Sequence, residues 1–276
     1  RRSTIPPNER GRRHGGLSVD MMLQDKVAVV SGGSRGIGFH IARDLAAEGC
    51  HVIIGGRNEK DLKDALDEIG NQKSSSRAAS FRGDITEKGV PEKFFQEAVA
   101  FFGGVDILVN NVGGSNPKTL LESSDEDWVQ AFEFNLFHAV KMSRLAIPEM
   151  KKREGGSIIN IASMYGRESK GSMTYNASKL ALIAFTKSLA RETAKDGIRV
   201  NSINPGGILF PGGAWERRIA DAPDGLQGYL DTDFPLGRFG RPEEVSAVAV
   251  LMASPRASLV HGVSWVVDGS QSRSNI

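Results

Sequence analysis

Short runs of β-branched and aliphatic residues alternate along the chain with longer stretches whose apolar positions return every three or four residues. The runs at Lys26–Val30, His51–Ile54, Ala78–Arg82, Asp106–Asn110, Ser157–Ile161, Arg199–Ile203 and Val263–Val267 predict about seven strands. The stretches between them predict helices over Ile37–Glu48, Glu59–Ile69, Pro91–Phe102, Asp125–Met150, Tyr175–Lys195 and Pro242–Met252. Their starts are chemically sensible. Ser124 precedes three acids that suit the positive end of a helix, and Pro242 loses nothing at a first helical position, where the N–H is unpaired anyway. Strict alternation of strand and helix implies an α/β fold, a parallel sheet covered on both faces. Right-handed crossovers make it doubly wound, with a ligand crevice at the carboxyl ends of the strands where the winding reverses.

One stretch breaks the rhythm. Residues 207–240 mix glycine and proline with Trp215, Tyr229 and Phe234, and are expected to form a mobile loop over a substrate. At the other end, residues 1–20 carry Arg1, Arg2, Arg10, Arg12 and Arg13 against Glu9 and the terminal Asp20, with almost no periodic apolar positions. They are expected to be a disordered arm. The rest, residues 21–276, is expected to be a single domain, because neither a linker nor a repeat divides it.

Composition narrows the classes. The net charge of +2 comes mostly from the arm, so no basic face for nucleic acid is expected in the body of the chain. No apolar stretch reaches the ~20 residues of a membrane span. A lone cysteine, Cys50, cannot form an internal disulfide, which fits a reducing, cytoplasmic setting. His14, His40, His51, His138 and His261 are scattered without ligand spacing, and no metal is expected.

The first strand runs into Ser31-Gly32-Gly33-Ser34-Arg35-Gly36-Ile37-Gly38 and then directly into a helix. Glycines there let the backbone turn and approach a pyrophosphate at the positive helix end. An acid closing the second strand would bind a ribose 2′-hydroxyl and repel a 2′-phosphate. Gly56 stands near that place instead, followed by Arg57, and Arg35 adds a second guanidinium. Two cations able to grip a phosphate favour NADP(H) over NAD(H). The alternative for both is a solvated surface arginine.

Tyr175 and Lys179 lie four apart, on one face of a predicted helix, and can act as an acid–base pair. A neighbouring ammonium and an oxidised nicotinamide would draw the phenol pKa down from its ordinary value. Ser163, twelve residues before Tyr175 at the end of the fifth strand, can bond a reacting oxygen. A Tyr-x-x-x-Lys pair also arises by chance, and only its surroundings give it weight.

The spacing G-x-x-x-G-x-G, together with Ser163, Tyr175 and Lys179 in that order, resembles the short-chain dehydrogenase/reductase family, particularly its 3-oxoacyl reductase-like members. The likeness runs from Met22 to Gly269. It implies a Rossmann-type fold, with Gly32, Ser34, Arg35, Gly36, Ile37 and Gly38 around the cofactor phosphates. It also implies adenine contacts from Asp84 and Ile85, and a segment Asn111-Val112-Gly113-Gly114 matching the family's Asn-Asn-Ala-Gly. Pro205, Gly206 and Ile208 would lie beside the nicotinamide, and Asn110 would brace the sheet. Lys179 would hold the nicotinamide ribose and lower the pKa of Tyr175, and Asn135 would be a fourth catalytic residue that helps hold a water behind the lysine.

The expected activity is hydride transfer between NADP(H) and a ketone or secondary alcohol, as a carbonyl or 3-oxoacyl reductase. The alternatives are an NAD(P)-dependent secondary-alcohol or sugar dehydrogenase, a non-catalytic cofactor sensor, and nucleic-acid binding by the arm. Gly114, Ser115, Met164, Tyr165, Arg167, Leu209, Phe210 and Trp215 are expected around the substrate, with Arg167 a candidate for a substrate carboxylate or phosphate. The resemblance further implies a homotetramer, or a homodimer, built on the helices starting near Asp125 and Tyr175 and on the region His261–Asp268.

Overall fold

The computed structural model describes residues 19–71, 75–222 and 225–275. Most of the arm expected over residues 1–20 therefore lies outside the described residues. Seven parallel strands form one sheet: β1 (Val27–Ser31), β2 (His51–Gly56), β3 (Ala78–Arg82), β4 (Ile107–Asn110), β5 (Gly156–Ile161), β6 (Ile198–Pro205) and β7 (Ser264–Val267). Their order is β3-β2-β1-β4-β5-β6-β7, so the winding reverses between β1 and β4, where Ser31 pairs with Asn110. The crevice predicted from the strand–helix alternation opens there.

Helices α1 (Gly36–Ala47), α2 (Glu59–Gly70), α3 (Val90–Phe102), α4 (Asp125–Phe132), α5 (His138–Lys152), α6 (Met173–Thr193), α7 (Ala214–Asp221), α8 (Leu226–Asp233) and α9 (Pro242–Ala253) complete the described fold. The two-residue period of a strand divides the core between its faces. Ala28 and Val30 of β1 pack with Ile41 and Leu45 of α1 and Val245 of α9. Val27 and Val29 face the other way, toward Phe94 of α3, Met142 of α5 and Leu189 of α6. Each such side chain stabilises the fold by about 1.5–3 kcal/mol on burial. Polar bonds then fix orientation within this apolar frame. Asn110 donates to Asn160 Oδ1 at 2.8 Å, Asn160 donates to Thr186 Oγ1 at 2.8 Å, and Thr186 donates to the Leu182 carbonyl at 2.8 Å. This buried chain ties β4 and β5 to the middle of α6 and gives Asn110 its bracing role.

Most boundaries shift by one or two residues, and three departures from the expected elements bear on the crevice. The helix expected from Asp125 to Met150 is interrupted by a π-helical turn at Glu133–Phe137, in which the N–H of His138 reaches the Glu133 carbonyl five residues back. Its start is as expected, with Ser124 and Asp127 forming a reciprocal capping box. The helix carrying Tyr175 begins earlier, at Met173. Residues 207–240, expected as a loop, contain α7 and α8 folded on their own aromatic nucleus. Trp215 stacks on Tyr229 with centroids 5.3 Å apart and meets Phe239 at 5.1 Å, while Phe234 and Phe239 stand 4.6 Å apart. Paired bonds between Gly240 and the segment Gly207–Leu209 close the base of this segment.

His138 is buried at the start of α5, and neither ring nitrogen finds a hydrogen-bond partner. Burial, reinforced by the charge of Lys179 and only partly offset by the Glu133 carbonyl, pushes its pKa down to about 3. The unfolded chain takes up this proton below about pH 6.5, whereas the folded chain does not until about pH 3. Stability from this group is therefore complete above the unfolded pKa and is lost as the pH falls, at about 1.4 kcal/mol per pH unit between those limits. We expect urea unfolding of His138→Leu to show a shallower loss of stability between neutral pH and pH ~4 than the parent chain.

Candidate active site

The loop after β1 is built to receive an anion. Arg35 occupies the N-cap of α1 and offers no side-chain acceptor, and the first turn holds no acid, so its N–H groups face the crevice without a side-chain cap. Gly36 adopts φ +56°, which a side chain would strain. At Gly38 a Cβ would fall 2.3 Å from the Gly32 carbonyl, so loop and helix approach closely only because it is absent. Asn111 braces this loop from β4, its amide donating to the Ser31 and Gly32 carbonyls at 3.3 and 3.0 Å. Ser31 Oγ in turn accepts the Asn111 N–H at 3.1 Å.

At the far end of the crevice Gly56 closes β2, and a Cβ there would lie 3.0 Å from Ser34 Oγ. Asn58 caps α2 by accepting the N–H of Asp61 at 3.0 Å. Arg57 reaches Asp84 at 3.3 Å. Burial opposes the ionisation of Asp84, but the N–H and hydroxyl of Thr86, together with Arg57, outweigh it and hold the carboxyl below its ordinary value.

The reactive groups meet where β4, β5 and α6 converge. Lys179 is 2% exposed, and its ammonium donates to the Ile161 carbonyl at 2.8 Å. Burial pulls its pKa down to about 7. The π-helical turn places Asn135 behind it, fully buried, with Nδ2 donating to the Ala131 and Gly114 carbonyls at 2.9 and 3.0 Å. Asn135 Oδ1 accepts the Gly114 N–H at 3.0 Å, so one amide holds the loop after β4 on both sides. A Cβ on Gly113 would fall 2.8 Å from both Asn135 Oδ1 and Lys179 Nζ. That glycine lets the two polar groups share one small volume.

Ser163 is buried two residues beyond β5, accepts the Tyr165 N–H at 3.1 Å and lines the same cavity as Tyr175. The expected fall in the Tyr175 pKa is not what the protein's own groups produce. Desolvation raises it, and the neighbouring Ser163 hydroxyl offsets only part.

A cavity of about 890 Å³ joins these parts, running from Arg57 and Asp84 past Ser34, Arg35 and Ile37 to Ser163, Tyr175 and Lys179. Ile85, Asn111, Val112, Gly113, Pro205, Gly206 and Ile208 also line it, whereas Asn135 stands behind the wall. Of the expected substrate contacts, Gly114, Ser115, Phe210 and Trp215 are in the lining, but Met164, Tyr165, Arg167 and Leu209 are not. Met164 is buried beneath, and Arg167 turns away to donate to the Ser264 carbonyl at 2.9 Å. Sequence reasoning missed Arg217 and Arg218 of α7, which line the cavity instead. Their signal was an Arg-Arg pair just after Trp215, legible only once that segment is known to be helical. Among the described residues no three His, Cys, Asp or Glu side chains gather as a metal site, and no helix is long and apolar enough to cross a membrane.

Residues 26–217 match the family model described as short chain dehydrogenase. Over 263 residues the chain is 37% identical to an uncharacterized oxidoreductase of Mycobacterium tuberculosis, covering 94% of this chain and 97% of that one. It is 34% identical to the 3-oxoacyl-[acyl-carrier-protein] reductase FabG of Chlamydia muridarum, covering 91% of this chain and 99% of that protein. A crystal structure of L-sorbose reductase from Gluconobacter frateurii, complexed with NADPH and L-sorbose, superposes with a TM-score of 0.87 at 35% identity, covering 93% of this chain and 100% of that chain. With a seven-stranded doubly wound sheet and a match over most of its length, the chain belongs to the short-chain dehydrogenase family and is an oxidoreductase.

Proposed function

We propose that the protein is a cytoplasmic NADPH-dependent reductase of ketones, 3-oxoacyl compounds included. The observation that carries this reading is the meeting of Ser163, Tyr175 and Lys179 in the same cavity as an uncapped glycine loop. A bound nicotinamide dinucleotide would supply the hydride. Everything else is done by the chain. The loop Gly32–Gly38 and the free end of α1 would hold the phosphates, Asp84 and Ile85 the adenine, and Lys179 the nicotinamide ribose, with Pro205, Gly206 and Ile208 alongside. Tyr175 Oη gives its proton to the carbonyl oxygen, and Ser163 Oγ bonds that same oxygen as charge develops. Burial favours the protonated phenol, the form that reduction requires. Asn135 acts as a positioning residue, fixing Gly114 and the wall beside Lys179. Because the chemistry is reversible, secondary-alcohol or sugar oxidation is the same site run backwards.

The cofactor preference rests on charge. No acid stands at Gly56, and Arg35 and Arg57 both line the adenosine end. The likeness to an NADPH-complexed reductase supports the same choice. Association into a homotetramer is supported by exposed apolar side chains on the helices the family resemblance indicates, Val129 at 60% and Leu180 at 57%, and by Trp265 at 38% on β7. The buried, unpaired Cys50 suits a reducing compartment.

Following oxidation of the reduced nicotinamide by absorbance over a panel of ketones, we expect turnover with NADPH. Tyr175→Phe should lower kcat by about 10²–10⁴-fold while NADPH still binds; turnover that survives this change would overturn the reading. Arg35→Ala and Arg57→Ala, titrated by tryptophan fluorescence, should each weaken NADPH about tenfold and NADH little, because a guanidinium–phosphate contact is lost. Light scattering should give four times the 29.7 kDa chain mass, and a monomer would remove the tetramer.

A further inference from the structure

The segment 207–240 places two guanidiniums, Arg217 and Arg218, near the crevice, and they are not equivalent. Arg217 turns back onto its own element, donating to the Gly212 carbonyl at 2.9 Å, and Arg35 lies beside the same glycine at the phosphate-loop end. Arg218 goes the other way. Its guanidinium lies over the Trp215 ring at 4.9 Å from the centroid, and it lines the cavity that contains Ser163 and Tyr175. Such stacking holds a cation over an aromatic face and restricts its directions.

Among the described residues no carboxylate pairs with it: Glu216 of the same helix accepts the Gly212 N–H at 2.7 Å, and Asp127, which also lines the cavity, takes Lys118 at 2.7 Å. Arg218 forms no ion pair among the described residues. Its charge reaches Tyr175 and Tyr229, favouring the ionised form of each against the larger effect of burial. A positive charge held on an aromatic wall, lining the same cavity as the proton donor and forming no ion pair among the described residues, is a receptor for an anion.

We propose that the natural substrate carries an anionic group, a carboxylate or a phosphate, set apart from its reacting carbonyl, and that Arg218 binds that group. This deepens and rests on the carbonyl-reductase reading. Arg218 thereby takes the place expected of Arg167, whose guanidinium is committed to Ser264. The anion anchors the substrate against this wall, and Phe210, which also lines the cavity, is left to the carbon chain between anion and ketone. Because a guanidinium pairs two oxygens at once, the contact orients the substrate as well as holding it.

The test compares linear oxo acids of increasing length with their methyl esters, and dihydroxyacetone phosphate with dihydroxyacetone, using the full chain and NADPH. The quantity read is the ratio of kcat/KM for the charged to the neutral member of each pair. At least one charged substrate should exceed its neutral partner by about tenfold or more, the worth of a charge-assisted hydrogen bond. Arg218→Gln should bring that ratio close to one through KM, and Arg218→Lys should retain part of it. A segment merely damaged by the substitution lowers both members and leaves the ratio unchanged, which overturns the proposal. So does a series in which no charged member is preferred, or a loss of NADPH affinity with the ratio intact, which would assign Arg218 to the cofactor. The two pairings distinguish carboxylate from phosphate. Failure of the underlying reading is seen separately, as turnover of the neutral ketones that is insensitive to Tyr175→Phe.

Discussion

An ammonium group inside a protein has lost the water that stabilised it, a cost of several kcal/mol that must be met by very few neighbours. Lys179 stands in that position, with the Ile161 carbonyl as its hydrogen-bond partner. Much of the surrounding architecture serves to keep it there. The carbonyl is free because β5 is ending, and the volume beside it is free because Gly113 carries no side chain. Asn135 fills the remaining polar space only because the helix widens by one residue at Glu133–Phe137, a kind of local irregularity that recurs at functional sites. The chain Asn110–Asn160–Thr186 then holds α6 in register with the strands, so that Lys179 and Tyr175 arrive together.

That arrangement separates two charge states that a sequence reading had coupled. A lysine next to a tyrosine suggests mutual stabilisation of ammonium and phenolate. Here burial acts on both groups in the direction of neutrality, lowering Lys179 and raising Tyr175. The protein's own groups thus favour a site holding a neutral proton donor beside a lysine poised near neutrality.

The parts of this architecture written in local patterns were legible before any coordinates. Seven apolar runs became seven strands because central parallel strands need apolar residues on both faces. The glycine loop and the four-residue step from Tyr175 to Lys179 follow from backbone geometry alone. What escaped has a common physical cause: it depends on tertiary neighbours. The π-helical turn leaves the apolar periodicity on either side intact, so Asp125–Met150 reads as one helix. Helices α7 and α8 are eight residues each, and α8 includes Gly228, so both are too short and weak to stand out without the aromatic nucleus they enclose. The direction of a long side chain is also unreadable, which is why Arg167 rather than Arg218 was expected at the substrate.

The segment 207–240 has a nucleus of Trp215, Tyr229, Phe234 and Phe239, its two ends are joined by the short pairing at Ile208 and Gly240, and Ile208 and Phe210 pack into the main core. Because Ile208 and Phe210 are shared with the core that carries β5 and β6, the segment bearing Arg217 and Arg218 and the strands that seat Lys179 are mechanically joined, and a change of volume on one side is felt on the other.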